Sequence, residues 1–153
     1  MKILRTLMTL LLASVVSVTA LAQDHGTKDE AKTLVNAALA HIKKVGNDQA
    51  LKDFTTDKAN WTKKDLYVFV VDTKGVVLAH GVNVKLIGKD LMELKDQNGK
   101  LFMREIVDLS SAKGEGWVDY DWAHPITKKA EGKSTFVKRI PGFDGSVAVG
   151  IYR

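Results

Sequence analysis

The chain has 153 residues, with 23 Lys and Arg against 18 Asp and Glu, four His and no Cys. That length supports one domain, or at most two very small ones. With 45% apolar and 27% charged residues the chain can bury a core, which excludes disorder as its main state. The lack of Cys excludes disulfides, thiolate metal sites, c-type haem attachment and Cys nucleophiles together. Any chemistry falls to His, carboxylates, hydroxyls, Lys, Arg and aromatics.

Residues 1–22 read as a secretory signal peptide. Lys2 and Arg5 form a positive n-region, an uncharged apolar run follows from Thr6 to Leu21, and Ala20-Leu21-Ala22 offers the small-x-small cleavage pattern. The competing reading is an uncleaved anchor, since Ile3 to Ala22 nearly supplies the roughly 20 apolar residues of a spanning helix. The cleavage pattern favours export to the periplasm, with residues 23–153 as a single domain. Losing Lys2 and Arg5 lowers the net charge from +5 to +3. The remaining Lys and Arg are scattered, with no basic stripe and interleaved aromatics, so nucleic acid is not an expected partner.

Thr27-Lys28-Asp29-Glu30 has the form of a capping box. Behind it Leu34, Val35, Ala38, Leu39, Ile42 and Val45 fall at helical spacing, and Gly46-Asn47 marks the stop. Asp48 opens a short second helix ending near Phe54, and a polar stretch leads to Trp61. Leu66 to Val71 is a strand buried on both faces. Asp72 to Gly75 is a turn, and Val76 to His80 returns as the second arm of a hairpin. After a loop from Gly81 to Asp90 and a turn at Asp96 to Gly99, Phe102, Met103, Ile106 and Val107 predict a helix ending near Lys113-Gly114. Trp117 to Trp122, Lys133 to Ile140 and Ser146 to Tyr152 are three further strands, the last two joined by a turn at Pro141 to Gly145. Consecutive strands joined by turns predict an antiparallel sheet with helices kept to one side or end, an α+β fold.

The order of these motifs resembles the single Cache domain, an extracytoplasmic relative of the PAS fold. The resemblance rests on the long N-terminal helix before Asp65-Leu66-Tyr67-Val68-Phe69-Val70-Val71-Asp72. Gly75, Leu78-Ala79-His80-Gly81, Ile87-Gly88-Lys89-Asp90-Leu91 and Asp96 with Asn98-Gly99-Lys100 follow. Then come Gly114, Gly116-Trp117-Val118-Asp119-Tyr120, Trp122, Pro125, Lys133 with Phe136-Val137, and Val149-Gly150-Ile151-Tyr152. It implies a five-stranded antiparallel sheet capped by a long helix, and a pocket for a small ligand, in many members a short organic acid. Such domains usually sit between two transmembrane helices of a receptor. This sequence ends at Arg153 without a second span or an output module, so the resemblance implies a stand-alone protein acting through a partner, such as a membrane sensor.

Six residues are candidate ligand contacts. Trp117, Tyr120 and Trp122 supply large flat side chains with one polar tip each, suited to a small pocket. Strand alternation puts Tyr120 and Trp122 on one face and Trp117 on the other, so the three do not line one pocket from the strand alone. His80, at a strand end, is placed to turn into a cleft with an imidazole that titrates near neutrality. Lys133, or alternatively Arg139, could supply the cation that a buried carboxylate requires; for any single Lys a solvated edge position is the commoner outcome. Tyr67 and Tyr152 could add hydroxyls. Asp119 and Asp121 share the face of Trp117, where they could take an amine or cation instead, which leaves the ligand's charge open. His25 and His41 read as structural or solvated, and the sequence does not place His124.

No nucleophile elbow, His-Glu-x-x-His motif or phosphate loop is present, and Asp72-Thr73-Lys74-Gly75 lacks the downstream ligands of a calcium loop. No cofactor or metal is expected, and the reading is non-catalytic. The leading expectation is an extracytoplasmic small-molecule sensor or binding protein. The alternative is a periplasmic interaction module with a vestigial pocket, docking on a membrane sensor or a redox protein, which requires an exposed apolar patch on the long helix.

Overall fold

The structure, a computed structural model, describes residues 25–153. The expected signal segment, residues 1–22, lies outside them. The first element is α1 (Lys28–Val45). Its capping box forms as the sequence predicts: Thr27 Oγ1 accepts from the Glu30 N–H at 3.2 Å, and Glu30 Oε2 accepts from the Thr27 N–H at 2.9 Å. Ala31, Val35, Ala38 and Ile42 are its buried stripe. The helix stops at Gly46, whose φ of +85° is open to glycine at little steric penalty. Helices α2 (Asn47–Thr56) and α3 (Lys58–Trp61) follow, so the polar stretch before Trp61 is largely helical rather than loop.

The strands are β1 (Thr62–Lys63), β2 (Leu66–Asp72), β3 (Val77–His80), β4 (Glu115–Ala123), β5 (Ala130–Arg139) and β6 (Gly145–Tyr152), with α4 (Phe102–Lys113) between β3 and β4. The five expected strands are all present. The two-residue β1 is an addition, a short antiparallel partner to the start of β2. β5 begins three residues before the expected Lys133. The order is β1-β2-β6-β5-β4, with β3 also paired to β2, and every pairing is antiparallel. Thus the chain's last strand lies at the centre, between β2 and β5, and β4 forms an edge.

Period-two alternation gives the sheet two different buried faces. On one, Leu66, Val68 and Val70 of β2 with Val147, Val149 and Ile151 of β6 pack under α1 and α2. On the other, Tyr67, Phe69 and Val71 with Ala148 and Tyr152 pack under α4 and the segment before it. β2 is therefore buried on both faces, as its unbroken apolar run predicts. Among the described residues no helix is long and apolar enough to cross a membrane.

The face beneath α1 and α2 is all packing. Phe54 is 1% exposed and meets the Trp61 ring edge-on at 4.7 Å. Phe54→Ala is expected to lower stability by about 3–5 kcal/mol, read as a urea midpoint shift, while leaving the opposite face intact.

Candidate functional site

The α4 face of the sheet contains a cavity. Tyr67 and Phe69 of β2, His80 of β3, Tyr120 and Trp122 of β4 and Lys133 of β5 line it from the sheet. Leu86, Leu91, Phe102 and Met103 close it from the covering segment. Its free volume is about 20 Å³, room for one water, which needs at least about 10–15 Å³.

Five of the six expected contacts, Tyr67, His80, Tyr120, Trp122 and Lys133, thus converge on one space. Trp117 is the correction. It points to the other face, its ring 5.3 Å from Phe136 and under the Lys28 ammonium at 5.1 Å. An odd-numbered β4 position cannot share a face with Tyr120 and Trp122. The alternative cation, Arg139, is exposed at the end of β5 and outside the cavity. Asp119 and Asp121 also lie outside it, Asp119 accepting from Ser134 and Asp121 from Gln97.

Lys133 is the unusual member. It is 1% exposed, not an edge charge. Its Nζ lies 4.2 Å from the Tyr67 ring centroid, 5.2 Å from Tyr152 and 5.3 Å from Phe69. These are cation–π distances. Nζ donates to the Tyr67 hydroxyl at 2.7 Å. The Tyr152 hydroxyl donates to the Ala123 carbonyl at 2.9 Å, so at 3.3 Å it is left to accept from Tyr67. The chain of donors runs in one direction, from ammonium to carbonyl. Among the described residues no carboxylate pairs with Lys133. Burial therefore pushes its pKa down to about 7, with attraction to Asp65 acting in the opposite sense.

His80 is also buried, at 4% exposure. Its Nδ1 accepts from the N–H groups of Val82 at 3.3 Å and Asn83 at 3.0 Å, which leaves the neutral ring's proton on Nε2. Burial, then Lys133 and Lys58, push its pKa down to about 3. The expectation of a titration near neutrality is corrected: His80 is a neutral donor there. Burial likewise raises the pKa of Tyr67, Tyr120 and Tyr152, so their hydroxyls stay protonated. Tyr120 pairs with Thr135 Oγ1 at 2.9 Å. The cavity thus presents one cation, several neutral donors and no anion.

Gly150 was quoted in the sequence motif without a role. A Cβ there would sit 2.0 Å from Lys133 Cε and 2.6 Å from Thr135 Oγ1. Glycine on the central strand is what lets the lysine lie flat across the sheet. No sequence signal separates this from an ordinary strand glycine. Phe69 and Phe102 were likewise legible only as core.

A second polar cluster lies behind the cavity. His25, Asp65 and His124 place their ligand-type atoms within 4.8 Å of one another. His124 Nδ1 accepts from the Ile126 and Thr127 N–H groups at 3.1 and 3.2 Å, so the proton of the neutral ring is on Nε2. Metal-bound histidines donate from their second nitrogen rather than accept there, and this donor set does not fit a metal. Asp65, wholly buried, instead accepts from the Gly26 N–H at 2.7 Å and pairs with His25 Nδ1 at 2.8 Å. It pins the segment leading into α1 against the sheet.

Comparison with known proteins agrees with this architecture. The family model Single Cache domain 2 matches residues 2–153. A methyl-accepting chemotaxis protein of Vibrio parahaemolyticus superposes with a TM-score of 0.72 at 26% identity, over 82% of this chain and 87% of that one. A periplasmic sensor domain of a chemotaxis protein gives a TM-score of 0.65 at 28% identity, over 81% and 88%. A Cache chemosensory domain described for its carboxylic acid recognition gives 0.70 at 23% identity, over 81% and 91%. Among curated sequences, the methyl-accepting chemotaxis protein McpP of Pseudomonas putida is 25% identical over 88 residues, 58% of this chain. The match spans 16% of that protein's length.

Unfolded, Lys133 keeps its proton up to about 10.5; folded, it keeps it only below about 7. Between those values the unfolded state binds more protons, so the Lys133 contribution to stability improves as pH rises. Lys133→Met is therefore expected to be more stable than the parent at pH 6, by at least about 1 kcal/mol, with the difference shrinking above pH 7. Urea unfolding across pH checks this; a less stable variant at pH 6 contradicts it.

Proposed function

The chain belongs to the single Cache domain 2 family, and from that premise we propose that it senses a short organic acid outside the cytoplasm, with Lys133 as the carboxylate's partner. Cache domains are sensory, ligand-binding modules rather than enzymes. The observation that carries the ligand class is the buried, carboxylate-free ammonium of Lys133. A cation in an apolar site is unfavourable by several kcal/mol unless an anion joins it. The indole N–H of Trp122 and the Nε2–H of His80 add neutral donors around it, which favour an anion and not an amine. The fold-mate described for carboxylic acid recognition is consistent with this class, but at 23% identity it speaks for the fold alone. The small free volume restricts the ligand to the shortest acids, and a wall must yield to admit one.

Residues 1–22 act in this reading as an export signal, and residues 23–153 as a periplasmic domain. Output then passes through a partner, such as a membrane sensor. The docking-module alternative required an apolar patch on α1. The exposed large apolar residues of the described chain, Val84, Ile87, Leu94 and Ile126, lie elsewhere, although Leu39, Ala40 and Ile42 of α1 line an open groove with Ile140 and Pro141; the buried ammonium of Lys133 is what favours the acid-binding reading.

The reading makes binding pH-dependent. A carboxylate favours charged Lys133, so acid binding takes up a proton when the free lysine is neutral. Titration calorimetry with acetate, propionate and butyrate should give a Kd that is nearly flat at about pH 6 and roughly doubled by pH 7. It should then weaken up to about tenfold per pH unit above 7. At 100 times Kd the acid should stabilise the protein by about 2.7 kcal/mol, and Lys133→Met should abolish the effect. A pH-independent Kd, or undiminished binding by the variant, contradicts the assignment.

A further inference from the structure

A second, more open cavity of about 170 Å³ lies directly outside the inner one. Val82 and Asn83 form one side, Pro125 and Lys128 the other, and His80 and Trp122 line both cavities. These two side chains are therefore the partition between solvent-side space and the Lys133 cavity.

The two halves of the partition differ in how firmly they are held. The His80 ring accepts two backbone hydrogen bonds and lies against Tyr67 at 4.9 Å and Phe69 at 5.9 Å. Turning it would strand two N–H groups. Trp122 is the penultimate residue of β4, the edge strand, and is half-buried. Its ring contacts are looser, Phe102 at 5.2 Å and Tyr120 at 6.3 Å. Its indole lies near the Tyr67 hydroxyl, where it opposes the burial that raises that group's pKa. Rotating the side chain breaks no β4–β5 ladder bond, because the ladder is backbone.

We propose that Trp122 is the gate of the Lys133 cavity: small anions collect in the outer vestibule and pass to Lys133 when the indole swings aside from the boundary that the two cavities share. Lys128 on the vestibule wall, and Lys58, bonded to the Gly81 carbonyl at 2.7 Å beside it, give the approach a positive field that raises the local anion concentration. The gate also accounts for an inner space smaller than any organic acid. The wall that must yield is the one held least.

The proposal rests on the inner cavity being the ligand site, yet its test needs no ligand. Lys133 with a pKa of about 7 is partly neutral at pH 7.5, and a neutral amine reacts with isocyanic acid from added cyanate. Nζ bonds to the isocyanic carbon, its proton passes to the isocyanic nitrogen, and a stable urea results. Peptide mass mapping of the purified protein gives the rate at Lys133. The labelling pH profile corrects each rate for the fraction of neutral amine. Trp122→Ala should speed corrected labelling about tenfold or more, an opening equilibrium shifted by about 1.4 kcal/mol. Trp122→Phe should stay near the parent rate. If Trp122→Ala does not melt cooperatively, Trp122→Leu should give an intermediate acceleration. Unchanged labelling in folded Trp122→Ala or Trp122→Leu overturns the gate. So does acceleration by Leu86→Ala alone, which would place the opening under the covering segment.

Discussion

Holding an ammonium beneath a β-sheet face without a protein carboxylate beside it is the constraint from which the rest of this structure follows. Lys133 sits on β5, opposite Tyr152 of the central strand and one strand further from Tyr67. Its length is accommodated because Gly150 leaves the face of β6 empty beside it. Its charge is moderated by ring faces and by one hydroxyl at 2.7 Å. That hydroxyl can receive it only because Tyr152 and the Ala123 carbonyl carry the donor chain onward. Removing Tyr152 leaves the Tyr67 proton without its acceptor, which is more unfavourable than the bond was favourable, whereas removing Lys133 leaves no donor unmatched.

The sheet divides the labour between its faces. Under α1 and α2 the contacts are aliphatic and aromatic, and that face supplies stability. Under α4 the same strands carry Tyr67, Tyr120, Tyr152 and Lys133, polar groups that a face built for stability alone would not hold. Because strand side chains alternate, one backbone register serves both purposes, and β2 and β6 contribute to each. Asp65, at the turn into β2, adds the link to the segment before α1. The path from cavity to helix start is therefore short: Tyr152 stacks edge-on against His124 at 4.5 Å, and His124 faces Asp65.

Much of this was legible in the residues. The capping box at Thr27, the apolar run of β2 and the turn glycines are local signals, and local physics formed them. The alternation of β4 correctly separates Trp117 from Tyr120 and Trp122, and only its aromatic character makes Trp117 a candidate contact. The burial of Lys133 was not legible, because a lone Lys at a strand start reads as solvated and only the register against β6 puts it under α4. The roles of Gly150 and Phe102 depend on residues 15 or more positions away, which no local pattern carries. His80 does line the cavity, but its chemistry was not legible: its titration is set by burial and by Lys133 and Lys58, neighbours only in space.

The most direct test of the account is the protonation of Lys133 itself, followed by ¹³Cε and ¹⁵Nζ NMR of the labelled lysine as pH is raised, without and then with saturating acetate or propionate. The account predicts a midpoint near 7 in the free protein that moves up by a unit or more when the acid is present. A free midpoint near the ordinary 10.5, or one that the acid leaves unmoved, would contradict it.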